Sequence, residues 1–260
     1  MISKSAIISG KAMLGNNVQV GNFSTIEDDV VIGDNTWIGN NVNILSGARI
    51  GENCQVHSSA ILAGNPQDLK FKGEYTTLEI GSNNIIREFV TINKGTASRG
   101  KTVIGHNNLI MTNSHIGHDC VIGDHCVIGF NVGMAGEVEV SDWANISGLT
   151  GIHQFSKIGA HSMVGGLSKI VKDVPPYIIA ARDPLAYEGI NTIGLNRRGF
   201  ETSKIIELKE IYRVIFQEKR NISHALEIIE TSFEKTAERD EIISFIQNST
   251  RGIIKGILDK

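Results

Sequence analysis

The sequence contains little proline, little cysteine and no excess of basic residues. Pro66 is the only one of the 4 prolines that lies before residue 175 of the 260-residue chain. Because proline cannot donate a hydrogen bond to a β-ladder, this scarcity is compatible with β-structure over the first two thirds of the chain. The formal net charge of −3 gives no indication of a nucleic-acid partner.

The sequence also contains no apolar run long enough to cross a membrane and no signal peptide at its start. These absences predict a cytoplasmic protein without stable membrane insertion. The three cysteines, Cys54, Cys120 and Cys126, are too few and too scattered for a zinc site. An odd number of cysteines in a reducing compartment also argues against a disulfide. We expect small buried packing residues there, and no metal or other cofactor.

What the sequence does contain is an apolar ladder with a strict period of six. Six residues are three strand periods, so one face stays inward while the chain turns a corner after each repeat. Such repeats stack into a three-sided parallel β-helix with eighteen residues per coil, in which residues eighteen apart lie about 4.8 Å from each other. The ladder residues are Ile8, Leu14, Val20, Ile26, Ile32, Ile38, Ile44, Ile50, Val56 and Leu62, then Ile80, Ile86 and Ile92, then Ile104, Ile110, Ile116, Ile122, Ile128, Met134, Val140, Ile146, Ile152, Ile158, Val164 and Ile170.

Two polar segments, 64–77 and 94–101, interrupt the ladder without changing its phase. Loops on a rigid scaffold are where binding groups concentrate, although a tolerated surface insertion is an equally simple explanation. We predict a β-helix domain over residues 1–174 that carries both loops. Residues 175–260 are predicted to form a connection and a C-terminal α-helical domain.

Within this C-terminal part, residues 177–200 show few periodic apolar positions and are predicted to be an irregular connection. Helical spacing begins at about Thr202, and two further helices are predicted at about Ile222–Phe233 and Arg239–Ile246. A single β-helix has a poor ratio of surface to core. Three prisms packed side by side with cyclic symmetry would bury one face of each, so a homotrimer is expected.

One corner of the predicted prism carries candidate catalytic chemistry. His118 lies two residues after the inward Ile116, Gly136 lies one coil further on, and His153 is close to the next coil. These residues should therefore lie along one edge, within about 10 Å. Asp119 follows His118 directly and could orient its imidazole. A histidine held by a carboxylate beside a bare glycine N–H suits a general base and an oxyanion donor.

Other interpretations of this corner remain open. Exposed polar corners are common in β-helices, so the chain could be a non-catalytic scaffold or a ligand-binding protein. His115, His118 and His153 could also form a metal site of the kind that gamma-class carbonic anhydrases hold between subunits. A metal site does not account for Asp119 and the nearby glycine.

Several short motifs occur together along the chain. They are Pro66-Gln67-Asp68-Leu69-Lys70, Arg87-Glu88-Phe89-Val90-Thr91-Ile92, His115-Ile116-Gly117-His118-Asp119-Cys120, Gly151-Ile152-His153-Gln154-Phe155, Asp173-Val174-Pro175-Pro176-Tyr177 and Asn196-Arg197-Arg198-Gly199-Phe200. In this combination, and with the hexads, they resemble the UDP-N-acetylglucosamine O-acyltransferase family of lipid A biosynthesis. The resemblance extends over the whole chain.

The resemblance implies a mainly β fold, a left-handed parallel β-helix of hexapeptide repeats with a C-terminal α-helical domain, assembled as a homotrimer. It implies transfer of a (3R)-3-hydroxyacyl chain from acyl carrier protein to the 3-hydroxyl of UDP-N-acetylglucosamine. His118 matches the general base that deprotonates the sugar hydroxyl, and Asp119 matches the residue that orients it. The Gly136 N–H would face the developing oxyanion.

The resemblance also assigns expected roles to residues away from the general base. Gly166 matches the position that limits acyl length, where glycine leaves room for a long chain. The other positions are Gln67, Asp68 and Lys70 in the loop that contacts donor or sugar, His115, His153 and Gln154 in the cleft, and Asn191, Arg197 and Arg198 near the nucleotide or phosphopantetheine.

Three positions depart from the family's usual residues. Asn93 and Glu137 stand where many members have histidine, and Ile193 stands where many have glutamate. These changes leave the acceptor open, since a UDP-diamino sugar acylated on its 3-amino group is a possible variant substrate. A related N-acyltransferase of the same pathway has an extra N-terminal domain, whereas the hexads here begin by Ile8.

Overall fold

The structure of the chain, a computed structural model, describes residues 1–218 and 221–256. These residues form 27 strands and four helices. Residues 219, 220 and 257–260, which belong to the predicted C-terminal domain, lie outside the described residues. In chain order the elements are β1 Ile7–Ile8, β2 Met13–Leu14, β3 Gln19–Val20, β4 Thr25–Ile26, β5 Val31–Ile32, β6 Trp37–Ile38, β7 Asn43–Ile44, β8 Ala48–Ile50, β9 Gln55–Val56, β10 Ile61–Gly64, β11 Thr77–Ile80, β12 Ile85–Ile86, β13 Thr91–Asn93, β14 Lys101–Ile104, β15 Leu109–Ile110, β16 His115–Ile116, β17 Val121–Ile122, β18 Val127–Ile128, β19 Gly133–Met134, β20 Glu139–Val140, β21 Asn145–Ile146, β22 Gly151–Ile152, β23 Lys157–Ile158, β24 Met163–Val164, β25 Lys169–Ile170, β26 Ile178–Ala181, β27 Ala186–Ile190, α1 Thr192–Arg197, α2 Thr202–Phe216, α3 Ile222–Ser232 and α4 Ala237–Gln247.

The strands form three sheets that are the sides of a triangular prism. The first sheet contains every third strand from β1 to β25, and the second contains every third strand from β2 to β23. The third runs from β3 to β24 and is extended by β26 and β27. Neighbouring strands are parallel except for the final antiparallel pair of β26 and β27. We call the corners edge 1–2, edge 2–3 and edge 3–1 after the sheets they join.

The period-six residues fill the interior of the prism, as predicted. Every ladder residue from Val20 to Ile170 is buried, whereas Ile8 and Leu14 are only partly buried at the open end. The three cysteines are free thiols and all are buried. Burial raises the pKa of Cys120 and of Cys126 to about 12. Both thiols are therefore protonated packing groups at neutral pH.

The corners depend on residues that accept a left-handed backbone. Asn113, Asp119 and Asn131 have φ of 60°, 59° and 53°, and asparagine and aspartate are the residue types that tolerate this conformation best. Glycine is required for another reason at Gly117, where a Cβ would lie 2.8 Å from the backbone of the next coil. Each repeat can therefore turn and stack without a steric clash.

In the regular coils, residues that stack on each other are eighteen positions apart in the sequence. Across the two loops the separation is larger. Ile116 pairs with Met134, eighteen residues later. Across the first loop, Ile50 pairs with Ile80, and across the second, Ile80 pairs with Ile104. These partners are thirty and twenty-four residues apart, because the loop residues lie outside the coil. The loops are thus additions to a continuous prism.

We expect Ile86→Ala to lower the free energy of unfolding by about 2–5 kcal/mol, the usual cost of truncating a buried isoleucine. Ile86 is completely buried in β12. Gln55→Ala, on the solvent face of the neighbouring strand β9, should change stability by less than about 0.5 kcal/mol. Denaturant-induced unfolding monitored by circular dichroism measures both. Equal effects of the two substitutions would contradict this assignment of the core.

The prediction of an irregular connection over residues 177–200 is wrong. Strand β26 continues the third sheet by pairing with β24, strand β27 folds back on it, and helix α1 follows. The three longer helices lie close to their predicted positions. The buried Tyr212 of α2 donates a hydrogen bond to the carbonyl of Pro176, 2.7 Å away, which attaches the helices to the end of the prism. The domain boundary at residue 174 stays a prediction.

Candidate active site

Both interrupting loops leave the prism at the same edge. The 64–77 loop connects β10 to β11 and the 94–101 loop connects β13 to β14, so each passes from the first sheet to the second. His118 lies between β16 and β17 on this edge 1–2, and Gly136 lies between β19 and β20. The sequence signals that were separate along the chain therefore meet at one edge of the prism.

His118 and Asp119 form a hydrogen-bonded pair at edge 1–2. The Nδ1 of His118 lies 2.8 Å from Oδ2 of Asp119. Because a carboxylate can only accept, Nδ1 carries the proton and Nε2 has a free lone pair. His118 is only 8% exposed and Asp119 is completely buried, so this corner is far less open than a simple polar corner would be. The imidazole is thus in the tautomer that a general base requires.

The 94–101 loop holds the other side of the Asp119 carboxylate. The Thr96 N–H donates to Oδ1 and Oδ2 at 2.9 and 3.1 Å, and the Thr96 hydroxyl donates to Oδ2 at 2.6 Å. The Arg99 N–H donates to Oδ1 at 3.2 Å. Thr96 is not among the residues predicted from the sequence, where its one distinguishing feature is a position inside an interrupting loop.

Gly136 lies directly against the His118 ring. A Cβ at this position would be 2.4 Å from Nε2 and 2.5 Å from Cε1 of His118. Among residues 1–218 and 221–256, none offers the Gly136 N–H a hydrogen-bond acceptor. A free backbone donor therefore lies beside the basic nitrogen, which is the arrangement predicted for a general base and an oxyanion donor.

A groove of about 370 Å³ extends over the first sheet beside this edge. His115 is in register with Gly133, then Gly151, then Lys169, and the two glycines leave the middle of the sheet bare. His153 lines the same groove, and Gln154 follows it on edge 1–2. The side chains contribute almost no polar surface, which suits an extended apolar group.

His115 is a half-buried histidine that faces this groove. Its Nδ1 lies 2.7 Å from the Thr91 hydroxyl. Burial lowers the pKa of His115, so it is neutral at physiological pH. The structure thus places His115 and His153 together on the groove, and it places His118 and Gly136 together beside it.

The 64–77 loop presents its predicted binding residues to solvent. Gln67 and Lys70 are exposed, and Oδ1 of the half-buried Asp68 accepts a hydrogen bond from the Lys70 N–H at 2.9 Å. Leu69 between them is fully exposed. The hydrogen bond between Lys70 and Asp68 closes a turn that leaves the Gln67, Leu69 and Lys70 side chains in solvent.

Two of the residues that depart from the family's usual pattern have structural partners in this region. The Asn93 amide donates to the carbonyl of Asn65 at 2.9 Å and so links the beginnings of the two loops. Glu137 accepts a hydrogen bond from the Ser98 hydroxyl at 3.3 Å, on the 94–101 loop. Nothing in the structure explains the exposed Ile193.

The predicted nucleotide residues lie at a different corner. Asn191 caps helix α1, accepting from the Gly194 N–H at 3.2 Å and donating to the His161 carbonyl at 2.9 Å. The Arg198 guanidinium lies 5.1 Å from the centre of the Trp143 ring and 3.3 Å from Nδ1 of His161. His161 and Trp143 belong to edge 2–3, and Arg197 is exposed nearby in the chain. Within one chain, these residues do not share an edge with His118.

Gly166 lies at edge 3–1, between β24 and β25. It is exposed, and a Cβ there would lie 3.2 Å from the Gly148 carbonyl oxygen. The first sheet separates this position from edge 1–2. Gly166 is therefore at the far side of the sheet that carries the groove.

Within the part of the chain that the structure describes, no three histidine, cysteine, aspartate or glutamate side chains converge as a metal site would require. In the same residues, no helix has the length and apolar character needed to cross a bilayer.

The chain is similar to known proteins over almost its full length. The family described as bacterial transferase hexapeptide matches residues 29–64 and 101–136, and the one described as UDP-N-acetylglucosamine O-acyltransferase, domain 2, matches residues 173–254. The acyl-[acyl-carrier-protein]–UDP-N-acetylglucosamine O-acyltransferase of Thiobacillus denitrificans is 41% identical over 98% of this chain and 99% of its own length.

Solved structures agree with these sequence matches. The UDP-N-acetylglucosamine acyltransferase of Bacteroides fragilis superposes with a TM-score of 0.97 and 48% identity, covering 98% of this chain and 100% of that one. The Arabidopsis enzyme of the same name superposes with a TM-score of 0.85 and 33% identity, covering 98% of this chain and 100% of its own. The predicted left-handed β-helix of hexapeptide repeats with C-terminal helices is confirmed.

A hexapeptide-repeat prism with a carboxylate-held histidine at one edge defines the class of the protein, which is an acyltransferase. The similarity is also specific within that class, because it covers almost the full length of the relatives. The chain belongs to the UDP-N-acetylglucosamine O-acyltransferase family.

Proposed function

We propose that this chain transfers a 3-hydroxyacyl group from acyl carrier protein to the 3-hydroxyl of UDP-N-acetylglucosamine, the first step of lipid A biosynthesis. The observation that carries the proposal is the His118–Asp119 pair beside the free N–H of Gly136. The names of the relatives, which specify O-acyl transfer from acyl carrier protein to UDP-N-acetylglucosamine, support the choice of donor and acceptor. They favour this acceptor over a UDP-diamino sugar.

The proposed mechanism is direct transfer with His118 as general base. Nε2 accepts the proton of the sugar hydroxyl while the oxygen attacks the thioester carbonyl carbon. Asp119 stabilises the imidazolium through its hydrogen bond to Nδ1. The Gly136 N–H donates to the oxyanion of the tetrahedral intermediate. Collapse of the intermediate breaks the carbon–sulfur bond, and the imidazolium returns its proton to the departing thiolate.

The apolar groove over the first sheet is the proposed binding site of the acyl chain. It begins beside edge 1–2 and has a bare floor at Gly133 and Gly151. An acyl chain that lies in it would run from His118 toward Gly166 at edge 3–1. We propose that His115, His153 and Gln154 line its entrance, and that the exposed Gln67, Asp68 and Lys70 contact donor or sugar.

A homotrimer would complete the proposed site. Asn191, Arg197 and Arg198 belong with edge 2–3, whereas His118 belongs to edge 1–2. In a closed ring of three prisms, edge 1–2 of one copy can face edge 2–3 of the next. Arginine binds phosphate well through its planar guanidinium, which would suit the UDP group. We place the reaction in the cytoplasm, where nucleotide sugars and acyl carrier protein are available.

Purified protein should acylate UDP-N-acetylglucosamine when it is supplied with a matching 3-hydroxyacyl carrier protein. The assay uses a panel of 3-hydroxyacyl chain lengths with both UDP-N-acetylglucosamine and a UDP-diamino sugar, and mass spectrometry of the products. We expect an O-acylated product and a preference for UDP-N-acetylglucosamine. Absence of transfer with every donor, or a strong preference for the diamino sugar, would contradict the proposal.

A further inference from the structure

Thr96 is the centre of the hydrogen bonding in the 94–101 loop. Its hydroxyl donates to Asp119 at 2.6 Å and accepts from the Ser98 N–H at 3.2 Å. Its carbonyl accepts from the Gly100 N–H at 2.8 Å, which closes the loop into a single turn. Thr96 is only 7% exposed. One side chain therefore joins the fold of the loop to the carboxylate that holds His118.

Close packing at one end of the 94–101 loop and an ion pair at the other hold it in place. Gly95, the residue before Thr96, lies so close to Lys101 that a Cβ would be 2.3 Å from the Lys101 nitrogen. The far end of the loop reaches over the next coil to the one beyond it, where Arg99 and Glu139 form an ion pair at 2.5 Å. The position of Thr96 over Asp119 is thus fixed from both sides.

We propose that Thr96 is a positioning residue, which acts through Asp119 to set both the orientation and the basicity of His118. This inference rests on the proposed role of His118 as general base. Thr96 and His118 share one oxygen, because both donate to Oδ2 of Asp119. The Thr96 hydroxyl fixes where that oxygen lies, and it takes up part of the negative charge that the imidazolium would otherwise receive.

Thr96 and His118 compete for the charge on Oδ2 of Asp119, and this competition sets how the pH profile of the reaction should respond to a substitution at Thr96. Loss of the Thr96 hydroxyl leaves more of the Asp119 charge for the imidazolium, which favours the protonated form of the His118 ring. A general base is active in its neutral form, so the acidic limb of the kcat/KM profile should move to higher pH. A substitution that only loosened the fold would lower activity without moving this limb.

Other ionisable groups lie on the elements around the pair. Burial raises the pKa of the Cys120 thiol to about 12 and lowers the pKa of the His115 imidazole below its ordinary value. The charged side chains on the elements around the pair are Arg99 and Lys101 of the loop, Glu74 of the neighbouring loop, and Glu137, Glu139 and Lys157 of the coils that follow.

The test compares Thr96→Val, Thr96→Ser and Thr25→Val in the full-length protein. Valine removes the hydroxyl and should reduce kcat about 10- to 100-fold with little change in KM for the sugar nucleotide. The acidic limb of kcat/KM should move up by roughly half a pH unit. Serine keeps the hydroxyl and should restore activity to within about threefold and the limb to its original position.

Thr25→Val is the matched control, because the Thr25 hydroxyl makes a bond of similar length, 2.7 Å to Asn43, in the first sheet and four strand steps from His115. It should leave activity and the pH profile unchanged. If Thr96→Val does not fold, Thr96→Ala provides the same readout. The inference would be overturned if the acidic limb of kcat/KM stayed in place in the valine and alanine variants, or if Thr96→Ser lost as much kcat as Thr96→Val. The substitution His118→Ala tests the general base separately.

Discussion

Replacement of His118 by alanine should reduce kcat for acyl transfer by about a thousandfold, the usual contribution of a positioned general base. The Nε2 of His118 is the nitrogen left free by the bond from Nδ1 to Asp119, and it lies beside Gly136. The variant loses the imidazole that Asp119 orients to take the hydroxyl proton. Steady-state assays with a 3-hydroxyacyl carrier protein and UDP-N-acetylglucosamine measure the effect.

His106→Ala is the matched control for this substitution. His106 also lies two residues after a ladder residue, Ile104, but it is exposed at edge 2–3. Its Nδ1 accepts a hydrogen bond from the Ser82 N–H at 2.9 Å rather than facing a carboxylate. We expect His106→Ala to keep activity within about twofold. Both variants should elute at the wild-type volume in size-exclusion chromatography, and near-normal transfer by His118→Ala would show that another group is the base.

The prism could be predicted from sequence because its cause is local and repeated. Each ladder residue, such as Ile128 or Ile146, is buried by the coils on either side, so the same requirement recurs every six residues. The alignment of His118 with Gly136 follows from the same rule, since no loop lies between them. Features within regular coils were therefore predictable from spacing alone.

The loops and the end of the prism could not be predicted this way. Both loops keep the phase of the ladder, so the spacing does not reveal that Ile50 stacks on Ile80, thirty residues away. At the end of the prism, Val164 stacks on Ala180, only sixteen residues away. This coil breaks the period of six, and the sequence pattern consequently gave no sign of strand β26.

The contacts of the site depend on such non-repeating segments. Thr96 reaches Asp119 only because the 94–101 loop folds back over the next coil. Arg198 packs on Trp143 only because the chain after the prism returns along edge 2–3. Both contacts join residues that are far apart in sequence through a loop of particular shape. Spacing cannot specify that shape, although the resemblance to a known family did place Arg198 among the binding residues.

Substitution of Gly136 by alanine should reduce kcat/KM by at least about a hundredfold, because it displaces the base without removing it. The new Cβ would lie 2.4 Å from Nε2 and 2.5 Å from Cε1 of His118. The imidazole cannot rotate away freely, since Nδ1 is held by the buried Asp119. The ring must shift by about an ångström, and a displacement of that size is enough to cost about a hundredfold in rate.

Gly10→Ala separates this effect from a general intolerance of side chains at the corner. Gly10 lies at edge 1–2 and two residues after the ladder residue Ile8, which is the same place in the repeat as Gly136 after Met134. A Cβ at Gly10 would meet no heavy atom within 4 Å. Gly10→Ala should therefore retain wild-type kcat/KM, and circular dichroism should show both variants folded under the assay conditions. If Gly136→Ala were as active as Gly10→Ala, the close contact between Gly136 and the His118 ring would have no part in catalysis.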